Sequence, residues 1–219
     1  MVRAIILLAG QGTRMNTEMP KQFLELGAKP VFLHSLQTFN ECPKVDFITL
    51  VASKEYIDYV KGYINIYSLH KVTDVIEGGF ERRSSVYNGL HSFKADYDDI
   101  VLIHDAARPF ITNEIIERNI EECELHDAVV TAIKNADSLF IGSDKVDHYV
   151  PREGIYQVQT PQTFRYGIIK EAYKNNKIST DDASLVLELD QEVYIVEGSR
   201  KNFKITTQDD FEMAKLLVK

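Results

Sequence analysis

An apolar run, Ala4–Leu8, leads straight into Ala9-Gly10-Gln11-Gly12-Thr13-Arg14-Met15, and Lys21 follows Met19-Pro20. Glycines in such a turn let backbone N–H groups approach phosphate oxygens. Two cations beside them suit a polyphosphate whose charge grows during displacement, because fixed charge there stabilises the transition state more than the ground state. The loop is neither of the two better-known glycine loops. A GxxxxGK[ST] sequence is absent, and a dinucleotide fingerprint needs a third small residue where Met15 stands. It also needs an acidic residue about 20 positions on, where the chain reads Pro30-Val31-Phe32-Leu33-His34. A triphosphate gripped by Arg14 and Lys21 is what remains, against the plainer reading of two solvated surface charges.

Two further clusters carry polar chemistry. Gly78-Gly79 precedes Glu81-Arg82-Arg83-Ser84-Ser85, so a second close-approach turn is followed by hydroxyls at a helix start. His104-Asp105-Ala106-Ala107-Arg108-Pro109 puts an acid and a base in one tight turn. Asp105 has two readings: it holds Mg²⁺ directly or through water, since a hard cation prefers carboxylate and phosphate oxygens, or it orients sugar hydroxyls. Arg108 reads as a buttress ion-paired with Asp105, and His104 as a satisfied core histidine. Asp181 and Asp182 read as a helix cap.

The elements that must position these groups follow from the apolar pattern. Arg3–Leu8, Phe47–Ala52, Thr73–Glu77, Ile100–His104, Ala128–Ile133 and Glu192–Glu197 read as strands too continuously apolar for half-exposed hairpins. Segments of helical period separate them, around Val31–Phe39, Lys54–Tyr67, Arg82–Phe93, Asn113–His126, Arg165–Asn175 and Thr207–Leu217. Thr112 or Asn113 and Thr207 are candidate caps. The fold class predicted is α/β: a mostly parallel twisted sheet with helices on both faces, in one domain over 1–219. All three polar clusters then lie at the carboxyl ends of strands, where such sheets bind ligands. The stretch Asn135–Tyr156 breaks the rhythm, with Gly142-Ser143-Asp144 and alternating Val146, His148 and Val150. It reads as a hairpin, either a surface loop or an arm that pairs with another subunit.

Composition limits the function classes. Hydrophobic residues make up 44% and charged residues 26% of the 219, which argues against disorder. The longest apolar run, Ala4–Ala9, is far below the roughly 18 residues of a spanning helix. No signal-peptide pattern opens the chain, so a cytoplasmic protein is expected. Cys42 and Cys123 belong to no metal-ligand spacing and read as ordinary thiols. A net charge of −8 gives no basic excess for nonspecific nucleic-acid binding, so an anionic ligand needs a local basic pocket.

The ordered blocks AGQGTRM, PKQF, GGFERRSSVYNGL, HDAARPF, QTPQTF, TDDA and NFKITTQDD span nearly the whole chain. Together they resemble the 2-C-methyl-D-erythritol 4-phosphate cytidylyltransferases, whose near relatives, the ribitol-5-phosphate cytidylyltransferases, share most of them. The resemblance implies a Rossmann-like fold with a projecting β-arm at about 135–156 and a homodimer built through it. It implies nucleotide contacts at Ala9, Gly10, Gly12, Gly79, Ser85, Asp105 and Ala106, with Phe80 assigned none. It implies catalytic roles for Arg14, Lys21, Arg152 and Lys204, the last two gripping the acceptor phosphate and Arg152 reaching the partner's site. Asp105 and Ser138 join them on the acceptor side. Relatives usually have Asp-Thr before the arm, whereas Asp137-Ser138 here keeps the hydroxyl and loses the methyl. The reaction implied is Mg²⁺-assisted transfer of CMP from CTP to methylerythritol 4-phosphate. Ribitol 5-phosphate as acceptor is the alternative within the same chemistry, and a CTP-sensing domain without turnover is the alternative of another class. The acceptor-gripping cations speak against the sensor.

Overall fold

The computed structural model describes residues 1–10, 19–174 and 181–218. Strand β1 (Val2–Leu7) comes first, followed by a short 3-10 turn at Lys21–Phe23, the small β2 (Glu25–Leu26) and β3 (Lys29–Pro30), and helix α1 (Val31–Glu41). Then come β4 (Phe47–Ala52), α2 (Ile57–Ile66), β5 (Val72–Glu77), α3 (Arg82–His91), β6 (Ile100–Asp105), α4 (Asn113–His126) and β7 (Ala128–Lys134). The remainder is β8 (Leu139–Gly142), β9 (Val146–Val150), β10 (Tyr156–Arg165), α5 (Tyr166–Ala172), α6 (Asp182–Leu187), β11 (Tyr194–Glu197) and α7 (Gln208–Leu217).

The main sheet runs in the order β11-β7-β10-β6-β1-β4-β5. The β1–β4, β1–β6, β4–β5 and β7–β11 pairs are parallel. Alternation along β1 explains its continuous apolar run. Ala4 and Ile6 pack into one core with Phe32, Leu36 and Ile116, whereas Ile5 packs on the other face with Val86, Leu90 and Phe164. A strand buried on both faces has no polar face to show.

The predicted strands and helices are all present, with ends shifted by a residue or a few. Asn175, the expected end of the segment that forms α5, lies outside the described residues. Two elements that bear on the site escaped the sequence reading. One is β10, antiparallel to both β6 and β7 in the middle of the sheet, with its register shifting between Val158 and Gln162. Its Gln157-Val158-Gln159-Thr160-Pro161-Gln162-Thr163 carries no apolar run. Its buried polar groups bond instead of packing: Thr163 Oγ1 donates to Asn119 Oδ1 (3.2 Å), and Gln162 Oε1 accepts from the Ala183 N–H (2.8 Å). The other is the body of α6, a helix of 6 residues whose start alone was marked, by the expected cap at Asp181 and Asp182. The expected caps divide. Thr207 forms a reciprocal capping box with Asp210, while Thr112 takes the cap position of α4 without a side-chain cap bond.

The stretch 135–156 is a hairpin. Strands β8 and β9 pair antiparallel in a two-stranded sheet of their own, from Leu139 opposite Val150 onward. Phe140, Ile141 and Tyr149 on it are more than half exposed.

Candidate active site

The end of β1 is locked in place from two sides. The Gln22 side-chain amide donates to the carbonyls of Leu8 (2.5 Å) and Gly10 (2.7 Å), tying the Lys21–Phe23 turn to the start of the glycine loop. Phe23 stacks on Tyr56 at 4.1 Å, and Lys21 is buried in the same turn. Burial alone would raise the Asp210 carboxyl, yet the Thr207 and Thr206 N–H groups and the Lys21 ammonium together hold it below its ordinary value. Lys21 therefore stands close to the start of α7. Gly12 and Arg14 lie outside the described residues.

The second turn touches the first. Gly78 donates to the Ala52 carbonyl (2.8 Å), and a Cβ at Gly78 would collide with Ala9 Cβ and lie 2.9 Å from Ser85 Oγ. Only glycine permits that approach. Ser85 Oγ accepts from the Gly79 N–H (3.1 Å) and donates to the Glu81 carbonyl (3.1 Å). Ala9, Gly79 and Ser85 are thus assembled at one place by two segments, the end of β1 and the turn from β5 into α3.

At the end of β6, Ala106 N–H donates to the Leu7 carbonyl (3.1 Å), which sets the Asp105 turn beside β1. Asp105 is buried, with Oδ1 3.2 Å from Arg82 Nε and Oδ2 2.7 Å from Lys204 Nζ. Burial pushes its carboxyl up, but the Arg82 guanidinium and the Lys204 ammonium outweigh burial and hold it far below the usual carboxylate range. The expected Asp105–Arg108 ion pair is not formed. Arg108 instead donates through Nη1 to the Asn202 carbonyl (2.8 Å) and through Nη2 to the Val158 carbonyl (3.3 Å), because the carbonyls of β10 and the 199–202 turn lie on its side. His104 is fully buried between Thr160 Oγ1 (3.1 Å) and the Arg108 carbonyl (3.3 Å), and burial pushes its imidazole down to about 4. It is neutral near pH 7 and serves the core, as its sequence context suggested.

Arg82 is the residue the sequence reading missed. Its Nη1 and Nη2 grip both oxygens of Asp182 (2.8 and 2.6 Å), and Asp182 also accepts from the Tyr173 hydroxyl (2.5 Å). The expected pair of capping aspartates is therefore corrected: Asp181 alone caps α6, accepting from the Ser184 N–H (3.0 Å). Asp182 is fully buried and serves the ion-pair chain. Arg82 and Asp182 stand 100 positions apart. A separation that long has no periodic signature, so only the tertiary structure joins the two.

A family model, 2-C-methyl-D-erythritol 4-phosphate cytidylyltransferase (IspD), matches residues 2–219. The chain belongs to that family. It is 39% identical over 222 residues to the 2-C-methyl-D-erythritol 4-phosphate cytidylyltransferase of Alkaliphilus oremlandii, covering 98% of this chain and 94% of the relative. The Clostridium novyi protein of the same name is 41% identical, with 98% and 95% covered. Among solved structures, the 4-diphosphocytidyl-2C-methyl-D-erythritol synthase of Anaerococcus prevotii superposes with a TM-score of 0.86 at 31% identity, over 99% of this chain and 95% of that one.

Within this cytidylyltransferase, the remaining predicted residues divide. Lys204 meets Asp105 directly. Arg152 is exposed between β9 and β10, and Ser138 is exposed just before β8. No hydrogen bond or ion pair joins either side chain to Asp105 or Lys204 among the described residues. The described residues also hold no group of three or more His, Cys, Asp or Glu placed to bind a metal. The Asp105 carboxylate has both oxygens engaged, by Arg82 and by Lys204. What the described residues offer a divalent ion is therefore a place for one carried on phosphate oxygens, which a hard cation prefers.

Proposed function

We propose that this enzyme transfers CMP from CTP to 2-C-methyl-D-erythritol 4-phosphate, releasing pyrophosphate and forming 4-diphosphocytidyl-2-C-methyl-D-erythritol. The observation that carries the reading is the ionised Asp105, held between Arg82 and Lys204 beside the joined turns of Ala9, Gly78 and Ser85. The glycine turns receive the nucleotide, with the Ser85 hydroxyl and the Gly79 backbone beside the base and Asp105 beside the sugar hydroxyls. Lys21, with Arg14, neutralises the triphosphate. Lys204, and Arg152 supplied by a partner's arm, place the acceptor phosphate.

A phosphate oxygen of the acceptor attacks the α-phosphorus in line as the bond to pyrophosphate breaks. No general base is required, because a monoester with a second pKa of about 6 is already mostly dianionic near neutrality. His104, pushed down to about 4 and fully buried, is not placed to supply one. Positioning and charge neutralisation therefore supply the rate. A bound magnesium ion would add charge neutralisation on the phosphates, held chiefly by the phosphate oxygens themselves. The exposed apolar hairpin supports a homodimer through the arm, and the chain acts as one catalytic domain in the cytoplasm. The Alkaliphilus oremlandii and Clostridium novyi relatives are methylerythritol phosphate enzymes by name, which favours methylerythritol 4-phosphate over ribitol 5-phosphate as the acceptor.

Pyrophosphate release with Mg²⁺ and CTP, measured with methylerythritol 4-phosphate, ribitol 5-phosphate or no acceptor, tests the reading. Release with the first alone is expected. Release with the second alone overturns the substrate, and CTP binding without release from either favours the sensor.

A further inference from the structure

A cavity of about 290 Å³ opens beside Lys204, between β10, the end of β7 and the segment 200–204. Arg108, Arg200 and Lys204 line it together with Gln157 and Gln159, and no carboxylate does among the described residues. Arg108 is buried, and its Nε has no hydrogen-bond partner among the described residues. Lys204 is engaged by Asp105. Arg200 is exposed and makes no hydrogen bond or ion pair among the described residues.

The turn that carries Arg200 is pinned. Gln159 Nε2 donates to the Ser199 carbonyl (2.8 Å), and Asn202 Nδ2 donates to the Thr160 carbonyl (2.9 Å). A Cβ at Gly198 would collide with Gln159 Oε1, so glycine lets β10 hold the turn this closely. The sheet order separates this cavity from the nucleotide turns. Those turns follow β1 and β5 on one side of β6, whereas β10 and β7 lie on the other. Asp105, at the end of β6, stands at the boundary.

We propose that Arg200 is a substrate-binding residue, completing with Arg108 and Lys204 a three-cation cradle for the phosphomonoester of the acceptor. The proposal rests on the cytidylyltransferase reading above. Asp105 offsets the charge of Lys204 at the boundary, and the Arg108 and Arg200 charges have no acid lining the cavity among the described residues to offset them. An entering dianion is therefore attracted before contact and held by charge-assisted hydrogen bonds after it.

Steady-state kinetics of Arg200→Ala and Arg200→Lys decide the matter. In Arg200→Ala the KM for the acceptor should rise roughly tenfold to a hundredfold, the loss of a hydrogen bond to a charged group, while the KM for CTP stays unchanged. Arg200→Lys should recover part of the loss, and the Ki of methylerythritol, which lacks the phosphate, should not change between wild type and Arg200→Ala. An unchanged acceptor KM, or a parallel rise in the KM for CTP, overturns the proposal. If the wild type uses ribitol 5-phosphate instead, the substrate reading fails and the same KM comparison with that acceptor still decides Arg200. If it uses neither, calorimetric titration with inorganic phosphate decides it: binding lost in Arg200→Ala supports the cradle, and equal binding overturns it.

Discussion

Two regions of this molecule handle polar and apolar groups in opposite ways. Behind the site, Tyr173, Asp182, Arg82, Asp105 and Lys204 form a continuous chain in which each group meets the next within 3.2 Å. On the arm, Phe140, Ile141 and Tyr149 stand in solvent, and the exposed Arg152 side chain nearby makes no hydrogen bond or ion pair among the described residues. The first region is complete within one chain. The second has the composition of a surface that expects a neighbour. Substitutions in the two regions should therefore fail in different assays.

The largest effect is expected at Asp105. Asp105→Asn keeps the shape but removes the charge between Arg82 and Lys204, and kcat/KM should fall on the order of 10² to 10³. A fall of less than about tenfold would remove Asp105 from the binding machinery. Asp182→Ala should act on stability instead. It leaves the partly exposed Arg82 guanidinium with Asp105 as its remaining partner, so the loss should fall at or below the about 3–5 kcal/mol of breaking a fully buried pair. Urea denaturation followed by circular dichroism measures the loss, and a change below about 1 kcal/mol would mean that water satisfies Arg82 as well as Asp182 does.

Acid titration sharpens the same contrast. Burial holds the folded His104 at about 4 against an ordinary value of about 6.5, so the unfolded chain binds the proton first. Stability contributed by the neutral imidazole is then present above about pH 6.5 and is lost as pH falls towards 4, by roughly 2 kcal/mol at pH 5. Asp105, depressed in the folded state, loses its contribution only further down, as pH falls below the ordinary carboxylate value and through its own. His104→Gln should flatten the stability profile between pH 7 and 5 without altering the limb below pH 4. An unchanged slope in the upper range would assign that loss to other groups.

The parts of the fold legible in the sequence are those that repeat a physical rule. Apolar runs buried on both faces located β1, β4, β6 and β7, and glycines before a helix located the Gly78–Ser85 turn. Strand β10 escaped because Gln159, Thr160, Gln162 and Thr163 satisfy burial with hydrogen bonds, which leave no hydropathy signal. The Asp105–Arg108 pairing failed for a related reason. Proximity in sequence favoured it, whereas Arg82 and Lys204 reach Asp105 from 23 and 99 residues away.

The arm supplies the smallest expected change in chain stability. Phe140 and Tyr149 touch each other edge to face at 6.3 Å on an exposed hairpin, away from the main core. Tyr149→Ser removes little that the single chain buries, so the unfolding free energy should stay within about 0.5 kcal/mol of wild type when measured at high dilution. If the arm is a dimer surface, the same substitution uncovers its cost only on association: sedimentation should show a weaker dimer, and activity should fall at low enzyme concentration and recover as concentration rises. Unchanged association with unchanged activity would make the hairpin a plain surface loop and would take Arg152 out of the acceptor site with it.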